Sequence, residues 1–145
     1  MEIGAYNMNS VEFLKRGCRL KLEIESKKEV LEELKTNLDG LQAIRVSEKV
    51  QGGQIPSDAN MVNRLSRVME MEKELAELFD AQIELSRNID KIKDYSERSI
   101  LRYRYILDLS WKQIASKTGY SLAQVYNYHK SGLSNFKKIL KIQQK

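Results

Sequence analysis

Mostly apolar residues recur at intervals of three and four positions over two long stretches of the chain. In residues 9–44 the series is interrupted only by Gly17 and Lys27, and its apolar members are Phe13, Leu20, Ile24, Leu31, Leu34, Leu38 and Leu41. A second series in residues 59–93 has two polar positions, Glu72 and Gln82. Its apolar positions are Leu65, Val68, Leu75, Leu78, Leu85, Ile89 and Ile92. This spacing is typical of helices with a coiled-coil seam. The pattern therefore predicts two long helices.

Local signals indicate where these helices begin and end. Asn9, followed by Glu12 three positions later, resembles a capping box at the start of the first helix. The segment "VSEKVQGGQIPSD" contains a Gly-Gly pair and the only proline, which favours a loop over residues 45–58. Ser57 or Asp58 at its end is suited to cap the second helix.

The two predicted helices have similar lengths, so they can fold into an antiparallel hairpin about 40 Å long at about 1.5 Å per residue. Met69, Met71, Phe79 and Ile83 widen the apolar face of the second helix beyond the seam. Because a two-helix hairpin buries little area, this face needs cover from the C-terminal domain or from a second copy. We therefore expect a homodimer or higher homo-oligomer. The hairpin serves either as a spacer and oligomerisation device or as a docking surface for another protein.

A new domain is expected at residues 94–145, where "KDYSE" interrupts the pattern. Asp94 can cap the next helix, with Glu97 at its third position. The residues expected in the core of this helix are Ile100, Leu101, Tyr105 and Leu107. Arg102 and Arg104 alternate with them and should point outward.

The stretch "SWKQIASKTGYSLAQVYNYHK", residues 110–130, has the spacing of a helix-turn-helix. Ala115 is small where the two helices would cross, and Gly119 suits a turn that needs a positive φ. Ser121 stands where the second helix needs a cap. The positions expected to pack the motif together are Trp111, Ile114, Ala115, Gly119, Val125 and Tyr128.

Charge is unevenly distributed along the chain. Residues 94–145 hold ten Lys/Arg and three Asp/Glu, a net charge of +7, whereas residues 1–93 carry −2. Clustered positive charge beside a helix-turn-helix is expected of a protein that binds the phosphate backbone of nucleic acid. A basic surface that merely contacts solvent is the alternative.

Composition excludes several other classes of function. Cys18 is the only cysteine and His129 the only histidine, which excludes an internal disulfide and a Cys/His zinc cluster. No Gly-rich phosphate loop or Ser/His motif is present, so we expect no enzymatic activity, no metal and no cofactor. No apolar run reaches the roughly 18 residues of a membrane span, and no signal peptide is evident, so we expect a cytoplasmic protein without membrane contact.

The segment "LRYRYILDLSWKQIASKTGYSLAQVYNYHKSGL" resembles region four of sigma-70-type factors over residues 100–140. An arginine-bearing helix, an "s-x-x-x-I-A" helix, a "Gly-x-Ser" turn and a recognition helix follow one another in both. Together with the upstream hairpin and the "GGQIPSD" loop, the chain more widely resembles the small phage-encoded regulators related to the ArpU and RinA late-gene activators. This resemblance implies sequence-specific binding to double-stranded DNA and activation of phage or prophage late genes in a bacterial cytoplasm.

Carried over by position, the recognition helix begins at Ser121. The residues placed toward the bases are Leu122, Ala123, Gln124, Tyr126 and Asn127. Gln124 and Asn127 can pair with adenine, and Leu122 or Ala123 can contact a thymine methyl, which favours a site containing A/T pairs. The residues expected to contact phosphates are Arg102, Arg104, Ser110, Lys112, Lys117, Ser121, Lys130, Lys137 and Lys138, with Lys141 on the same basic flank.

Two other functions stay open at this stage. A DNA-packaging adaptor of the small-terminase type also joins a helix-turn-helix to oligomerising helices, although there the DNA-binding part usually comes first. The second open function is a module that binds RNA polymerase or a sigma factor without reading bases. Among single residues, we expect His129 to face solvent or phosphate rather than to bind a metal, and Gly132 to allow close backbone packing. We assign Cys18 no role.

Overall fold

The computed structural model describes residues 10–50 and 59–143, and within them every regular element is helical. The elements are α1 (Ser10–Val50), α2 (Ala59–Asp90), α3 (Tyr95–Leu101), a π-helical segment (Arg102–Ile106) that continues α3, α4 (Trp111–Thr118) and α5 (Leu122–Gln143). The all-α prediction is confirmed. No helix in these two ranges is both long and apolar enough to cross a membrane.

Helix α1 continues to Val50, whereas the sequence pattern places its end at residue 44. The predicted loop, residues 45–58, therefore begins too early. The seam periodicity stops near Leu41, but the helix-breaking Gly-Gly pair comes only after Val50, and the residues between favour or tolerate a helix. Helix α2 ends at Asp90, three residues before the predicted end. The caps expected at Asn9 and at Ser57 or Asp58 lie outside the described residues.

The chain divides into two compact units whose boundaries differ from the predicted boundary at residue 93. Residues 1–22 and 80–145 form one unit, and residues 23–79 form the other. The first unit holds 17 Lys/Arg and 8 Asp/Glu, a net charge of +9, and is called the basic unit. The second unit holds 8 Lys/Arg and 12 Asp/Glu, a net charge of −4, and is called the acidic unit.

The acidic unit is made of the remainder of α1 and the first part of α2. Its buried apolar residues are Leu31, Leu38, Met61, Val68 and Met71. Ion pairs join Lys27 to Glu74 and Lys35 to Glu72, so that later positions of α1 pair with earlier positions of α2, as in antiparallel helices. The large apolar side chains of α2 that stay exposed in this unit are Val62, Leu65, Met69 and Phe79.

In the basic unit, the first turns of α1 and the end of α2 enclose one core with the C-terminal helices. The buried members of this core are Leu14, Leu85, Ile89, Ile92, Leu101, Tyr105 and Phe136. The end of α2 therefore packs with the C-terminal helices, and for this reason the contact boundary precedes residue 93. Ile83, also predicted on the apolar face of α2, is exposed.

At Gly17, α1 packs tightly against the C-terminal helices. A Cβ atom built on Gly17 would lie 2.0 Å from the carbonyl oxygen of Tyr105 and 2.7 Å from Cδ2 of Leu85. No side chain fits there, because real Cβ atoms do not approach other atoms so closely. The glycine that interrupts the seam in the sequence is thus required for the contact.

The π-helical segment changes which residues of the third helix are buried. Asp94 caps α3 through the backbone N–H groups of Ser96 and Glu97, as predicted. Further along, Leu107 N–H donates to the carbonyl of Arg102 at 3.0 Å, the wider bond of a π-helix. The extra residue in this turn rotates Leu107 away from the core, and it is 43% exposed. The prediction of Leu107 as a core residue was wrong.

Candidate nucleic-acid interface

Two capping interactions define the ends of α4. Ser110 and Gln113 form a capping box, in which Gln113 N–H donates to Ser110 Oγ at 3.2 Å and Ser110 N–H donates to Gln113 Oε1 at 2.8 Å. At the other end Gly119 has φ 76°, the left-handed conformation that the turn requires. The side chain of Ser110, expected to contact phosphate, is thereby engaged in its own helix start.

Helix α5 begins with a second reciprocal cap. Gln124 N–H donates to Ser121 Oγ at 3.2 Å, and Ser121 N–H donates to Gln124 Oε1 at 3.0 Å. Ser121 was expected to cap this helix, and it does. The same contacts occupy the amide oxygen of Gln124, which a bidentate contact with adenine would also use. Gln124 must leave the cap before it can read a base in that way.

The contact between α4 and α5 is closed by buried apolar side chains. Ile114 and Val125 are fully buried together with Ile100 of α3. The partly buried residues around them are Tyr103, Leu109, Trp111, Ala115, Tyr120 and Tyr128. This packing fixes α5 relative to α4 and leaves one face of α5 outside.

The outer face of α5 carries the five residues that were expected to contact bases. Leu122, Ala123, Gln124, Tyr126 and Asn127 are all exposed, and Lys130 follows one turn later. The ring of Tyr126 lies edge-on to Trp111, with centroids 5.2 Å apart. Small, amide and aromatic side chains thus reach solvent together over the first two turns of α5.

Arg104 does not point outward, contrary to the sequence-based expectation. Its guanidinium carbon lies 4.3 Å from the ring centroid of Trp111, and Nη1 donates to the carbonyl oxygen of Leu109 at 2.9 Å. The cation–π contact and the hydrogen bond hold the turn before α4 against α3. Arg102, on the opposite side, is half-exposed and forms an ion pair with Asp90. Neither arginine is therefore an uncommitted phosphate ligand.

The lysines expected to contact phosphate fall into two groups. Lys112 and Lys117 on α4 and Lys130 on α5 are exposed on the helices that carry the candidate face. Lys137 and Lys138, with Lys141, are also exposed, but Lys137 lies ten positions after Asn127, about 15 Å further along the helix axis. The structure does not bring the second group to the first two turns of α5.

His129 faces the interior of the basic unit rather than solvent or phosphate. Its Nε2 atom is 2.7 Å from the hydroxyl oxygen of Tyr105, and its ring lies edge-on to Trp111 at 4.7 Å between centroids. Burial lowers the pKa of the imidazole, and the charge of Arg104 lowers it further. The spacing could have shown this, because His129 follows the buried Val125 by four positions, one helical turn.

Gly132 lies against α3, as its close-packing prediction requires. A Cβ atom at this position would be 3.4 Å from Glu97 Cβ and from Leu101. Nearby, Asn135 donates to a carboxylate oxygen of Glu97 at 2.8 Å. These contacts hold the middle of α5 against α3.

Sequence reasoning missed the contribution of α1. Cys18 Sγ donates to the carbonyl oxygen of Arg104 at 3.5 Å, and Lys21 Nζ donates to that of Leu107 at 2.9 Å. Both contacts span 86 positions of sequence, so no local pattern indicates them. Only the glycine at position 17, inside an otherwise regular seam, is a signal that another backbone approaches closely.

The fold and this surface define an all-helical protein with an exposed polar and aromatic face on a basic unit. Residues 42–137 match the model of a family described as "Protein of unknown function (DUF1492)". The match covers more than half of the chain, and the protein belongs to this family. Comparison with curated proteins and with solved structures gives no significant match.

Proposed function

We propose that this protein is a sequence-specific transcription regulator that binds double-stranded DNA. In this proposal α1 and α2 form a helical hairpin, and α4, the turn at Gly119 and α5 form a helix-turn-helix similar to region four of sigma-70-type factors. The observation that carries the proposal is the exposed face on the first two turns of α5, which lies in a unit of net charge +9. A helix with such a face fits the major groove, and the surrounding charge attracts phosphates.

Base recognition is assigned first to Asn127, whose exposed amide can make paired hydrogen bonds with adenine. Leu122 and Ala123 can contact thymine methyl groups at the start of the helix. Tyr126 is held by Trp111 and can reach a sugar or a phosphate. Gln124 contributes after its side chain leaves the cap at Ser121. These residue types favour a site that contains A/T pairs.

Phosphate contacts are assigned to Lys112, Lys117 and Lys130, which are exposed on α4 and α5. The backbone N–H groups at the start of α4, next to Ser110, add a site of positive partial charge. Arg104 acts instead as a positioning residue, because its guanidinium group is committed to Trp111 and to the carbonyl of Leu109.

The resemblance to phage late-gene activators supports a role in activating phage or prophage genes in the bacterial cytoplasm. A homodimer or higher homo-oligomer is part of this proposal. It is supported by Val62, Leu65, Met69 and Phe79, which are exposed at heptad-compatible spacing on α2. A second helix that covers these side chains would remove apolar area from water.

Selection of bound DNA from a random pool tests the proposal, with Asn127→Ala as the variant and Ser134→Ala as its control. Both residues are exposed on α5, and Ser134 lies two turns after Asn127 on the same side of the helix. We expect the wild-type protein and Ser134→Ala to enrich one common sequence. Asn127→Ala should lose preference at one base pair by about 5- to 150-fold, the equivalent of about 1–3 kcal/mol.

Other outcomes would contradict the proposal. Enrichment of the same sequence by Asn127→Ala would remove that residue from base readout. Binding to RNA polymerase or a sigma factor without enrichment of any sequence would favour a protein-binding module. A ring of many subunits in a mass measurement would favour a packaging adaptor of the small-terminase type.

A further inference from the structure

Helix α2 carries a second series of heptad-spaced positions beside the one that it buries against α1. Its residues Val68 and Met71 belong to one buried cluster with Leu31 and Leu38 of α1. Another series on α2, with intervals of 3, 4, 3, 4 and 3 residues, stays exposed over about five turns. Its members are Val62, Leu65, Met69, Glu72, Ala76 and Phe79. This exposed series is called the outer seam, and it lies wholly within the acidic unit.

The outer seam is apolar at five of its six positions, and all five side chains contact water. Met69 is 70% exposed and Val62 is 54% exposed. Single exposed apolar side chains are ordinary on a protein surface. A regular heptad series of them is different, because this is the pattern that one helix presents to another in a coiled coil. The outer seam therefore indicates that a further helix covers it.

The spacing of the outer seam is the same when it is counted from either end. It is symmetrical about a point between Met69 and Glu72. A second copy of α2 that lies antiparallel on the first, with that point on a two-fold axis, therefore meets every seam position with a seam position. The facing pairs are Val62 with Phe79, Leu65 with Ala76, and Met69 with Glu72. In the first two pairs a larger side chain meets a smaller one, which fills each layer evenly.

A parallel copy would instead place each seam residue on its own counterpart. Two Ala76 side chains would leave a gap in one layer, and two Phe79 rings would overfill the next. Two Glu72 carboxylates would also face each other, and like charges in contact repel. In the antiparallel arrangement Glu72 meets Met69, and its charge is already balanced by Lys35 of its own chain at 3.0 Å. Side-chain size and charge thus both favour the antiparallel arrangement.

We propose that a second copy of this chain covers the outer seam in the antiparallel orientation, with the two-fold axis between Met69 and Glu72. This inference rests on the homo-oligomer of the proposed function and deepens it. It sets the number of subunits at two, the direction of the paired helices and the residues that meet. The contact removes the apolar side chains of the outer seam from water in both copies at once.

Cysteine cross-linking tests the orientation in the full-length protein. Cys18, the only native cysteine, is replaced by serine, and Leu65→Cys and Ala76→Cys are introduced into separate proteins. In the antiparallel dimer these two positions face each other, whereas the two copies of position 65 are offset by 11 residues, about 16 Å along the helix axis. A disulfide requires Cα atoms within about 7 Å. Asn63→Cys and Glu77→Cys are the matched control pair, exposed on α2 but outside the outer seam.

We expect a disulfide-linked dimer only when the Leu65→Cys and Ala76→Cys proteins are mixed, and none in the control mixture. If each protein links to itself as readily as the two link in the mixture, the helices are parallel and the inference is overturned. Equal cross-linking in the control mixture would mean random collision, and it would overturn the inference as well.

Sedimentation equilibrium tests the occupant. The wild type should have the mass of two chains and dissociate on dilution. Leu65→Asp should weaken the dimer by at least about tenfold, because a carboxylate would lose water on association, and the control Asn63→Asp should not weaken it. A wild-type protein of one chain at every concentration, or of many chains, would overturn the inference and leave DNA binding by α5 intact. Failure to select any DNA sequence would instead remove the DNA-binding function and leave the contact between copies of α2 intact.

Discussion

Replacement of Gly17 by alanine tests the packing of α1 directly. The added methyl group would meet a backbone carbonyl oxygen, that of Tyr105, at 2.0 Å. A flexible side chain could rotate away, but a carbonyl within the π-helical segment cannot. The helix must therefore move by more than 1 Å or detach from the C-terminal helices.

The expected magnitude follows from two opposing effects. Alanine favours a helix interior over glycine by about 1 kcal/mol. Overpacking a core costs about 1–3 kcal/mol, and a contact this short with backbone belongs at or above the upper end. We therefore expect Gly17→Ala to lower the free energy of unfolding by about 2 kcal/mol. Gly40→Ala is the matched control on the same helix, because nothing lies within 4 Å of its Cβ position. It should raise stability by up to about 1 kcal/mol.

Urea denaturation measures both effects. Trp111 is the only tryptophan and lies in the basic unit, so its fluorescence reports the unit in which Gly17 packs. Far-UV circular dichroism follows the helices of both units. Gly17→Ala should shift the Trp111 transition to lower urea concentration, whereas Gly40→Ala should not. A Gly17→Ala protein as stable as the wild type, with an unchanged Trp111 transition, would refute the close approach of α1.

Two further predictions concern titratable groups. His129 is the only histidine, and its pKa is lowered in the folded protein by burial and then by Arg104, so the unfolded chain takes up a proton near pH 6.5 before the folded one does. The free energy of unfolding should therefore fall as the pH drops below about 6.5 and level off below the pKa of His129 in the folded protein. Urea midpoints measured from pH 7.5 to 5 should show this fall in the wild type and not in His129→Phe. An identical pH profile in the variant would contradict the burial of His129. With its pKa raised by burial to about 11, Cys18 should react with iodoacetamide at pH 8 roughly two orders of magnitude more slowly in the native protein than in urea, and equal rates would contradict its packing on Arg104.

Features that depend on neighbouring residues were predictable from the sequence. Asp94 and Ser121 cap helices because their side chains reach N–H groups two or three positions away. Gly119 adopts a positive φ because the turn between two crossing helices requires it. The burial of Ile114 and Val125 follows from helical periodicity. In each case the interacting groups lie within about one turn of each other.

Features that depend on distant contacts were not predictable in the same way. Leu107 was placed in the core by α-helical periodicity, but the π-helical segment shifts the register by one residue. Arg104 was placed outside because it alternates with apolar neighbours, yet Trp111 and the Leu109 carbonyl provide it with an internal site. The role of α1 depends on contacts across 86 positions, which no single-sequence pattern contains. A glycine that interrupts a regular seam was the only trace of it.

The hydrogen bond from Lys21 on α1 to the carbonyl of Leu107 has a consequence for how the protein folds during synthesis. During synthesis, the partner of Lys21 near residue 107 is added 86 residues later, about 4–17 s at ordinary translation rates. Until then the face of α1 that carries Leu14 and Gly17 has only the end of α2, with Leu85 and Ile89, to pack against. The basic unit is thus assembled from two segments of the chain that lie on either side of the acidic unit, and it is completed only after the intervening acidic unit has been synthesised.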